Sequence, residues 1–265
     1  MYFLTIFLIF MLGTCIGSFL NVVIYRFNTG MTLGGRSFCM TCNRKLAWYE
    51  LVPVFSFLSL GGKCRTCKTS ISRQYPLVEI ATGLIFSMLV SRFSEFLPHT
   101  GVFLSHLLYH MFMWSLLIVI AVYDFRHKII PNRLMYIFIL VALCALFVSA
   151  QGTIVPSPSS LLAGIAIPLP FAAIWYLSRG KWMGFGDVKL MSGLGFYLGL
   201  SQGIAAVMLS FWLGAVVGIL LIFFRKSKYG MKSEIPFGPF LIVGALIAFM
   251  WNIGLFELAK VFIFK

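Results

Sequence analysis

The sequence predicts an all-α polytopic membrane protein with about eight transmembrane helices and a small cytoplasmic insert. Its residues are 60% hydrophobic and only 11% charged, with a mean hydropathy of +0.98. Soluble domains are about half apolar and a quarter charged. Apolar runs of about 20 residues, long enough to cross a bilayer as a helix, recur along the chain. Basic residues concentrate between alternate runs, which is typical of cytoplasmic loops.

The apolar runs give the order of the spans. We expect them near 2–25, 76–97, 103–123, 132–151, 159–178, 188–200, 202–224 and 236–256, with the sixth separated from the seventh at GLSQG. The first run is too long for the apolar region of a secretory signal, so we interpret it as a retained anchor. Its Gly13 and Gly17 are four residues apart, a spacing that lets two helix backbones approach closely in lipid. Asn21 follows on the same face.

The basic residues predict the orientation. Eighteen of the 21 lysines and arginines fall on alternate connections, ending with Arg225, Lys226, Lys228 and Lys232. Because basic loops stay in the cytoplasm, we expect both termini outside the cell. The two aspartates of the chain, Asp124 and Asp187, should then lie at the cytoplasmic edge of the membrane. Topology and anionic lipid head groups account for the formal charge of +14, so the bilayer is the expected partner and nucleic acid is not.

Residues 26–75 form the one long polar stretch. We therefore divide the chain into a first helix (1–25), an insert (26–75) and a helical bundle (76–265) that carries both aspartates. The insert contains CMTC and CRTC, which place Cys39, Cys42, Cys64 and Cys67 in two pairs. Four thiolates at this spacing predict a tetrahedral, structural Zn²⁺ site. Disulfides are the alternative, and the reducing cytoplasm disfavours them.

Only two aspartates occur in the sequence, Asp124 and Asp187, each at the edge of an apolar run. Considered alone, Asp187 would be interpreted as a helix N-cap. Asp124 alone would be interpreted as the ion-pair partner of Arg126 or Lys128. Taken together, they form an acid–base pair, since two close carboxyls do not readily ionise at once. The ionised one can draw a proton from water that attacks a peptide carbonyl, while the protonated one donates a proton. The positive helix N-terminus favours Asp187 as the ionised member.

Glycines and prolines lie close to these acids in the sequence. Gly184 and Gly186 lack a Cβ, so a substrate backbone can come close to Asp187. We expect irregular backbone at Pro236, Gly238 and Pro239, which would form a substrate-facing wall.

The motifs together resemble the type IV prepilin peptidases. GSFLNVVIYR, both Cys-x-x-Cys pairs, YPLVE, YDFRHKIIPN, GFGDVKL and IPFGPFL occur in that family's order and cover the chain from end to end. The Gly-x-Gly-Asp signature of intramembrane aspartic proteases falls on Gly184, Gly186 and Asp187. The resemblance makes Asp124 the partner aspartate and places Lys189 in the supporting loop.

The resemblance also implies two activities and a location. The family removes a basic leader from prepilins and pseudopilins after a glycine at the cytoplasmic face of the bacterial inner membrane. It then methylates the new N-terminal residue, with S-adenosylmethionine as the methyl donor. The set of candidate methyl-transfer or substrate contacts is Asn21, Arg26, Glu50, Glu79, Pro236, Gly238 and Pro239. The role in pilus assembly, type II secretion or DNA uptake stays open, as does the oligomeric state.

Two other classes of protein compete with the enzyme. A transporter would use Asp124 and Asp187 as proton or cation ligands. Transport carboxylates, however, lie near mid-membrane at a repeat interface, and the sequence has no internal repeat. A non-catalytic assembly factor would dock a partner through its zinc knuckles, which leaves the aspartates unexplained.

Overall fold

A computed structural model describes residues 2–147, 158–224 and 235–263, and over these ranges the regular structure is helical. The α-helices are α1 Tyr2–Arg26, α2 Phe55–Ser59, α3 Gln74–Arg92, α4 Thr100–His127, α5 Asn132–Ala145, α6 Pro158–Ala166, α7 Pro168–Ser178, α8 Phe185–Phe224, α9 Gly238–Met250 and α10 Leu255–Ile263. The chain divides into two compact units, Met1–Val119 and Ile120–Lys265. The basic residues at 225, 226, 228 and 232, used above to predict orientation, lie outside the described residues.

Five helices in the described residues are long and apolar enough to cross a membrane: Phe3–Arg26, Gln74–Arg92, Thr100–His127, Ser159–Ser178 and Phe185–Leu221. Two further apolar helices, Asn132–Ala145 and Gly238–Met250, are shorter. The chain is therefore a multi-pass membrane protein, although the described helices do not by themselves give the eight spans we expect.

The difference from the expected spans has local causes. Helix α8 contains Gly199, whose φ of 77° and ψ of −179° are not helical, so two helical stretches meet there. This is the predicted boundary between the sixth and seventh spans. The predicted span 159–178 agrees with the apolar stretch Ser159–Ser178, in which α6 is followed by α7 at Pro168, because proline lacks the N–H that would continue the helix.

In the unit Met1–Val119, α1 packs closely against α3, as the paired glycines predict. A Cβ on Gly13 would lie 2.7 Å from the Cα of Gly83, and one on Gly17 would lie 2.7 Å from the Cα of Glu79. The two helices approach closely because neither position carries a side chain. Asn21 secures the same contact, since its Nδ2 donates to the carbonyls of Gly17 and Tyr75, each at 3.2 Å.

The insert contains little regular structure. It has a 3₁₀ turn at Trp48–Leu51 and the short helix α2, which ends before Gly61 and Gly62. Both glycines have positive φ, 58° and 67°, a conformation that L-residues rarely adopt. The glycine pair therefore prevents α2 from continuing.

In the unit Ile120–Lys265, α8 is the central element. It packs against α5, α6, α7, α9 and α10. Buried Leu190, Met191 and Leu194 lie on its first half, and Ala205 and Ala206 follow after the break. The first turn of α8, which contains Asp187, thus belongs to a helix that packs against five neighbouring helices.

Candidate active site

Asp124 and Asp187 line one cleft in the unit Ile120–Lys265. Asp124 lies near the end of α4 and is 4% exposed, whereas Asp187 lies in the first turn of α8. The cleft has a volume of about 830 Å³, and the two carboxyl groups are close enough to interact electrostatically. The structure thus brings together the two acids that the sequence keeps 63 positions apart.

The turn after α4 shapes the floor of this cleft. Lys128 has a φ of 54°, and its N–H donates to the carbonyl of Asp124 at 2.7 Å, which ends the helix. The chain then passes through Ile130 and Pro131 before α5 begins. Ile130 is 9% exposed, so this apolar residue anchors the turn beside both acids.

Glycines surround the acids at the closest packing points. A Cβ on Gly238 would lie 2.6 Å from Oδ2 of Asp124, and one on Gly186 would lie 3.1 Å from the Cβ of Ile130. Gly184 is exposed, and a Cβ there would lie 3.5 Å from Oδ2 of Asp187. Gly184 therefore leaves space beside Asp187, whereas Gly186 packs closely against Ile130 and Gly238 packs closely against Asp124.

The Oδ2 atom of Asp124 is buried and makes no hydrogen bond to the described residues. A buried carboxyl oxygen without a partner is unfavourable, unless water or a substrate group completes its hydrogen bonding. Because Asp124 faces a cleft of several hundred cubic ångströms, such a partner has room to bind. The pair can thus orient one water or one peptide carbonyl between two carboxyl groups.

Lys189 contacts other groups than the acids. Its Nζ donates to Oδ1 of Asn132 at 2.9 Å and to the hydroxyl of Tyr136 at 3.3 Å, and it lies 5.0 Å from the ring centre of Phe185. It therefore joins α8 to α5 at the rim of the cleft. The sequence analysis did not predict Asn132 or Tyr136 as site residues, although Asn132 is the last residue of the YDFRHKIIPN motif.

The segment before α9 is only partly irregular. Pro236 and Phe237 precede the helix and line the cleft, but Gly238 and Pro239 form the first turn of α9. Our expectation of irregular backbone at these last two positions is wrong, because proline suits the first turn of a helix, where its missing N–H is not needed. Pro236 remains a wall of the cleft.

The rest of the cleft is largely apolar and aromatic. Its side chains include Phe171, Ile174, Trp182, Phe185 and Phe211. Apolar walls beside two acids suit a substrate that presents a peptide bond next to apolar residues.

The four insert cysteines form a second candidate site, in the unit Met1–Val119. Their sulfur atoms all lie within 4.8 Å of one another, and those of Cys39 and Cys67 are 3.7 Å apart. All are free thiols, so they do not form the alternative disulfides. Four sulfurs at this separation fit tetrahedral metal coordination with bonds of about 2.3 Å.

The two knuckles have the same backbone design. Cys39 N–H donates to the carbonyl of Arg44 at 2.9 Å, and Cys64 N–H donates to the carbonyl of Thr69 at 2.8 Å. Each knuckle also has a residue of positive φ after its second cysteine, Asn43 at 54° and Lys68 at 59°. This repeated turn aims both thiols of each pair towards the other pair.

Arg26 and Glu50, two of the candidate methyl-transfer or substrate contacts, make structural interactions within the protein. Arg26 Nη1 donates to the carbonyls of Thr32 at 2.9 Å and Gly34 at 2.7 Å. Glu50 is buried, accepts the N–H of Ala47 at 2.9 Å and forms an ion pair with Arg44. The Ala47 N–H and the Arg44 guanidinium together hold the pKa of Glu50 below its usual range.

Glu79 differs from Glu50. It lies in α3, is 6% exposed, and its Oε2 accepts the N–H of Val54 at 2.7 Å. The described residues contain no ion-pair partner for it, since their one carboxylate salt bridge is that of Glu50.

Comparison with known proteins defines the class to which this membrane protein belongs. The bacterial peptidase A24 N-terminal domain matches residues 11–93, and the type IV leader peptidase family matches residues 111–219. A prepilin leader peptidase/N-methyltransferase of Bacillus subtilis is 32% identical over 92% of this chain and 94% of the relative. Those of Pseudomonas putida and Pseudomonas aeruginosa are 31% and 29% identical, over 95% and 91% of this chain and 91% and 89% of their own lengths. No solved structure matches the chain.

The chain therefore belongs to the prepilin leader peptidase/N-methyltransferase family, and the predicted resemblance is confirmed. The transporter and the assembly factor are no longer competing classes.

Proposed function

We propose that this protein cleaves the basic leader from type IV prepilins and pseudopilins and then methylates the new N-terminal residue with S-adenosylmethionine. The observation that carries the proposal is the pair Asp124 and Asp187 facing one cleft in a chain of this family. Cleavage follows a glycine of the substrate, and the products serve pilus assembly, type II secretion or DNA uptake.

In the cleavage step, ionised Asp187 accepts a proton from a water molecule as the water attacks the scissile carbonyl. Asp124, in its protonated form, donates its proton to the carbonyl oxygen, and the proton that Asp187 took from the water then passes to the leaving nitrogen. Asp124 regains its proton from the diol intermediate as the carbonyl forms again and the C–N bond breaks. The position of Asp187 in the first turn of α8 supports its charge, since the helix N-terminus is positive. Burial disfavours charge on both carboxyl groups, which supports one proton held within the pair, and we assign that proton to Asp124. Together the two groups supply general acid and base catalysis, with titration shared by the pair.

Lys189 and the glycines support this chemistry indirectly. Lys189 binds α8 to Asn132 and Tyr136 of α5, so it positions the first turn of α8, which contains Asp187. Gly184 leaves the face of Asp187 open to a substrate backbone. Gly186 allows Ile130 to pack beneath it.

In the membrane, the proposed eight spans are α1, α3, α4, α5, α6 with α7, the two stretches of α8, and α9. The excess of basic residues on alternate connections supports a cytoplasmic insert and an active site at the cytoplasmic face of the inner membrane. The short α5 and α9 fit a bundle in which neighbouring protein surrounds the helix ends.

The four cysteines would hold Zn²⁺ as a structural ion. Four thiolates leave no open coordination position, so the metal's chemical contribution would be to cross-link the two knuckles. Because the insert of about 50 residues has little core of its own, such a cross-link would be needed for its stability.

A direct test uses proteoliposomes that contain the full chain and a synthetic prepilin segment. Wild-type protein should release the leader, whereas Asp124→Asn and Asp187→Asn should release none while eluting as folded protein. Release of the leader at wild-type rates by either variant would overturn the proposed mechanism.

A further inference from the structure

The insert presents large apolar side chains on its outer surface. In the stretch between the two knuckles, Trp48, Leu58 and Phe55 are 79%, 67% and 61% exposed. Trp48 begins the 3₁₀ turn, the other two lie on α2, and these two short elements pack against each other. Large apolar side chains left accessible on neighbouring elements indicate a surface that has a partner.

A hydrogen bond fixes the depth of this surface relative to α3. The N–H of Val54, the residue before α2, donates to Oε2 of Glu79 at 2.7 Å. Glu79 is the sixth residue of α3, so it lies about 7.5 Å along the helix axis from Gln74, at 1.5 Å per residue. Because α3 is long and apolar enough to cross a membrane, the start of α2 is held beside a membrane-spanning helix.

The apolar outer face of α3 already begins at this level. Leu77 is exposed, as is Ile80 further along the helix. Leu77 lies two residues before Glu79, so α3 presents an apolar side chain to lipid before the depth of the hydrogen bond is reached. Phe55 follows Val54 directly, and it therefore lies at a level where the neighbouring span already meets the bilayer.

The insert also has the charge that an anionic membrane surface attracts. Residues 26–75 contain eight basic residues and one acid, Glu50, which is paired with Arg44. Basic residues next to a span are attracted by anionic head groups. Exposed basic side chains flank the apolar stretch on both sides: Lys45 precedes it, and Lys63, Arg65 and Lys68 follow it. Apolar side chains combined with basic ones are typical of segments that lie in the membrane interface.

We propose that Trp48, Phe55 and Leu58 form a membrane-docking surface, which lies in the head-group region of an anionic bilayer. Trp48 suits this region, because its indole combines an apolar body with a polar N–H. Interfacial side chains reach about 5–10 Å into the boundary between head groups and acyl chains, which agrees with the depth set by Glu79. Lipid contacts then hold the insert at the membrane surface, in addition to its connections to α1 and α3.

An apolar polypeptide is the other kind of occupant for such a surface. The substrate proposed above carries a basic leader, which the basic residues of the insert would repel. Lipid head groups of opposite charge meet no such repulsion, so charge favours the bilayer. The inference requires that α1 and α3 span the membrane, and it does not depend on the proposed cleavage or methylation.

Photocross-linking of the full chain tests the docking surface. The photoreactive amino acid p-benzoylphenylalanine replaces Leu58 or Phe55, and the protein is reconstituted in vesicles of phosphatidylethanolamine and phosphatidylglycerol with a prepilin-like peptide present. Mass spectrometry of the intact protein then identifies the captured molecule. We expect the mass of one phospholipid to be added at each of the two positions.

Thr66 is the matched control, because it is exposed in the same insert but lies between Arg65 and Cys67 in the second knuckle. The photoreactive amino acid at this position should capture no lipid. Equal capture of lipid at all three positions, or no capture of lipid at positions 55 and 58, would overturn the proposal. Capture of the peptide or of a second copy of the chain in place of lipid would also overturn it. Metal content and elution profile report whether each variant is folded.

A second measurement uses the native side chain of Trp48. Its fluorescence is the difference between the wild-type and Trp48→Phe spectra, since the other tryptophans are common to both proteins. Lipids brominated near the head group should quench this fluorescence in vesicles that contain phosphatidylglycerol. Quenching should weaken in phosphatidylcholine vesicles, and also at about 1 M salt, where the screening length falls to about 3 Å. Absence of quenching, or quenching that neither change reduces, would contradict docking on an anionic bilayer.

Discussion

Gly238 packs directly against the carboxyl group of Asp124. A Cβ at this position would lie 2.6 Å from Oδ2 of Asp124 and 3.4 Å from Cδ1 of Ile130. Carbon atoms do not approach oxygen so closely without displacement, so the first turn of α9 holds Asp124 in place only while position 238 has no side chain.

We therefore expect Gly238→Ala to displace the Asp124 carboxyl group and to slow leader cleavage. A displacement of about 1 Å in a catalytic group can cost about 100-fold in rate. Gly218→Ala is the matched control, since a Cβ at Gly218 meets nothing within 4 Å. The measurement is the cleavage rate of a prepilin peptide. Equal rates for Gly238→Ala and Gly218→Ala would show that the contact has no catalytic importance.

Asp124→Asn and Asp187→Asn preserve shape but remove the ability to exchange a proton. General acid and base catalysis contributes about 10²–10⁴-fold each, so either variant should lose cleavage by at least this factor. Methylation of a pre-cut peptide should persist, because its amino terminus is already free and needs no hydrolysis by the two carboxyl groups. Loss of both activities together, in a folded variant, would contradict the separation of the two activities.

The candidate site shows what the sequence can and cannot predict. Asp124, Asp187 and the cysteines were recognisable because acids are rare in this chain and paired Cys-x-x-Cys motifs have a definite metal geometry. The sequence did not identify three further residues of the site, Ile130, Asn132 and Tyr136. Residues of these types near the start of a helix are common and have many different roles. Their roles depend on tertiary contacts with Gly186 and Lys189, which no local pattern encodes.

The fold shows the same limit. Apolar runs gave the positions of α1, α3 and α4, but overestimated α5 and α9, whose helices have 14 and 13 residues. Hydropathy predicts which residues can lie in lipid or in a protein interior. It does not predict the residues at which the backbone dihedral angles stop being helical. The left-handed φ of Gly199 and the first turn at Gly238 are decided by packing and by proline geometry.

Replacing Cys39 and Cys64 together with serine should remove the bound metal, because each knuckle loses a thiolate. Metal content of the purified protein, measured by inductively coupled plasma mass spectrometry, should fall from about one zinc per chain to none. Cys15→Ser with Cys144→Ser is the control, since these cysteines lie in α1 and α5, outside the cluster. Unchanged zinc in the Cys39 and Cys64 variant would exclude the four-thiolate site.

Gly17→Ala should destabilise the contact between α1 and α3. The added Cβ would lie 2.7 Å from the Cα of Glu79 and 3.0 Å from the carbonyl of Val78, and backbone atoms cannot move aside as a flexible side chain can. Overpacking of this kind costs about 1–3 kcal/mol. Thermal unfolding in detergent should show a lower midpoint than in Gly101→Ala, where a Cβ meets nothing within 4 Å. Identical midpoints would contradict close packing of these helices.

The most direct test of the central claim is mass spectrometry of a prepilin-like peptide after incubation with the purified protein. The peptide carries a basic leader, then glycine, phenylalanine and an apolar helix, and the reaction is run with and without S-adenosylmethionine. We predict a cut after the glycine in both reactions, and one added methyl mass on the new N-terminus only when the donor is present. An intact peptide in the presence of folded, zinc-loaded protein would contradict the account.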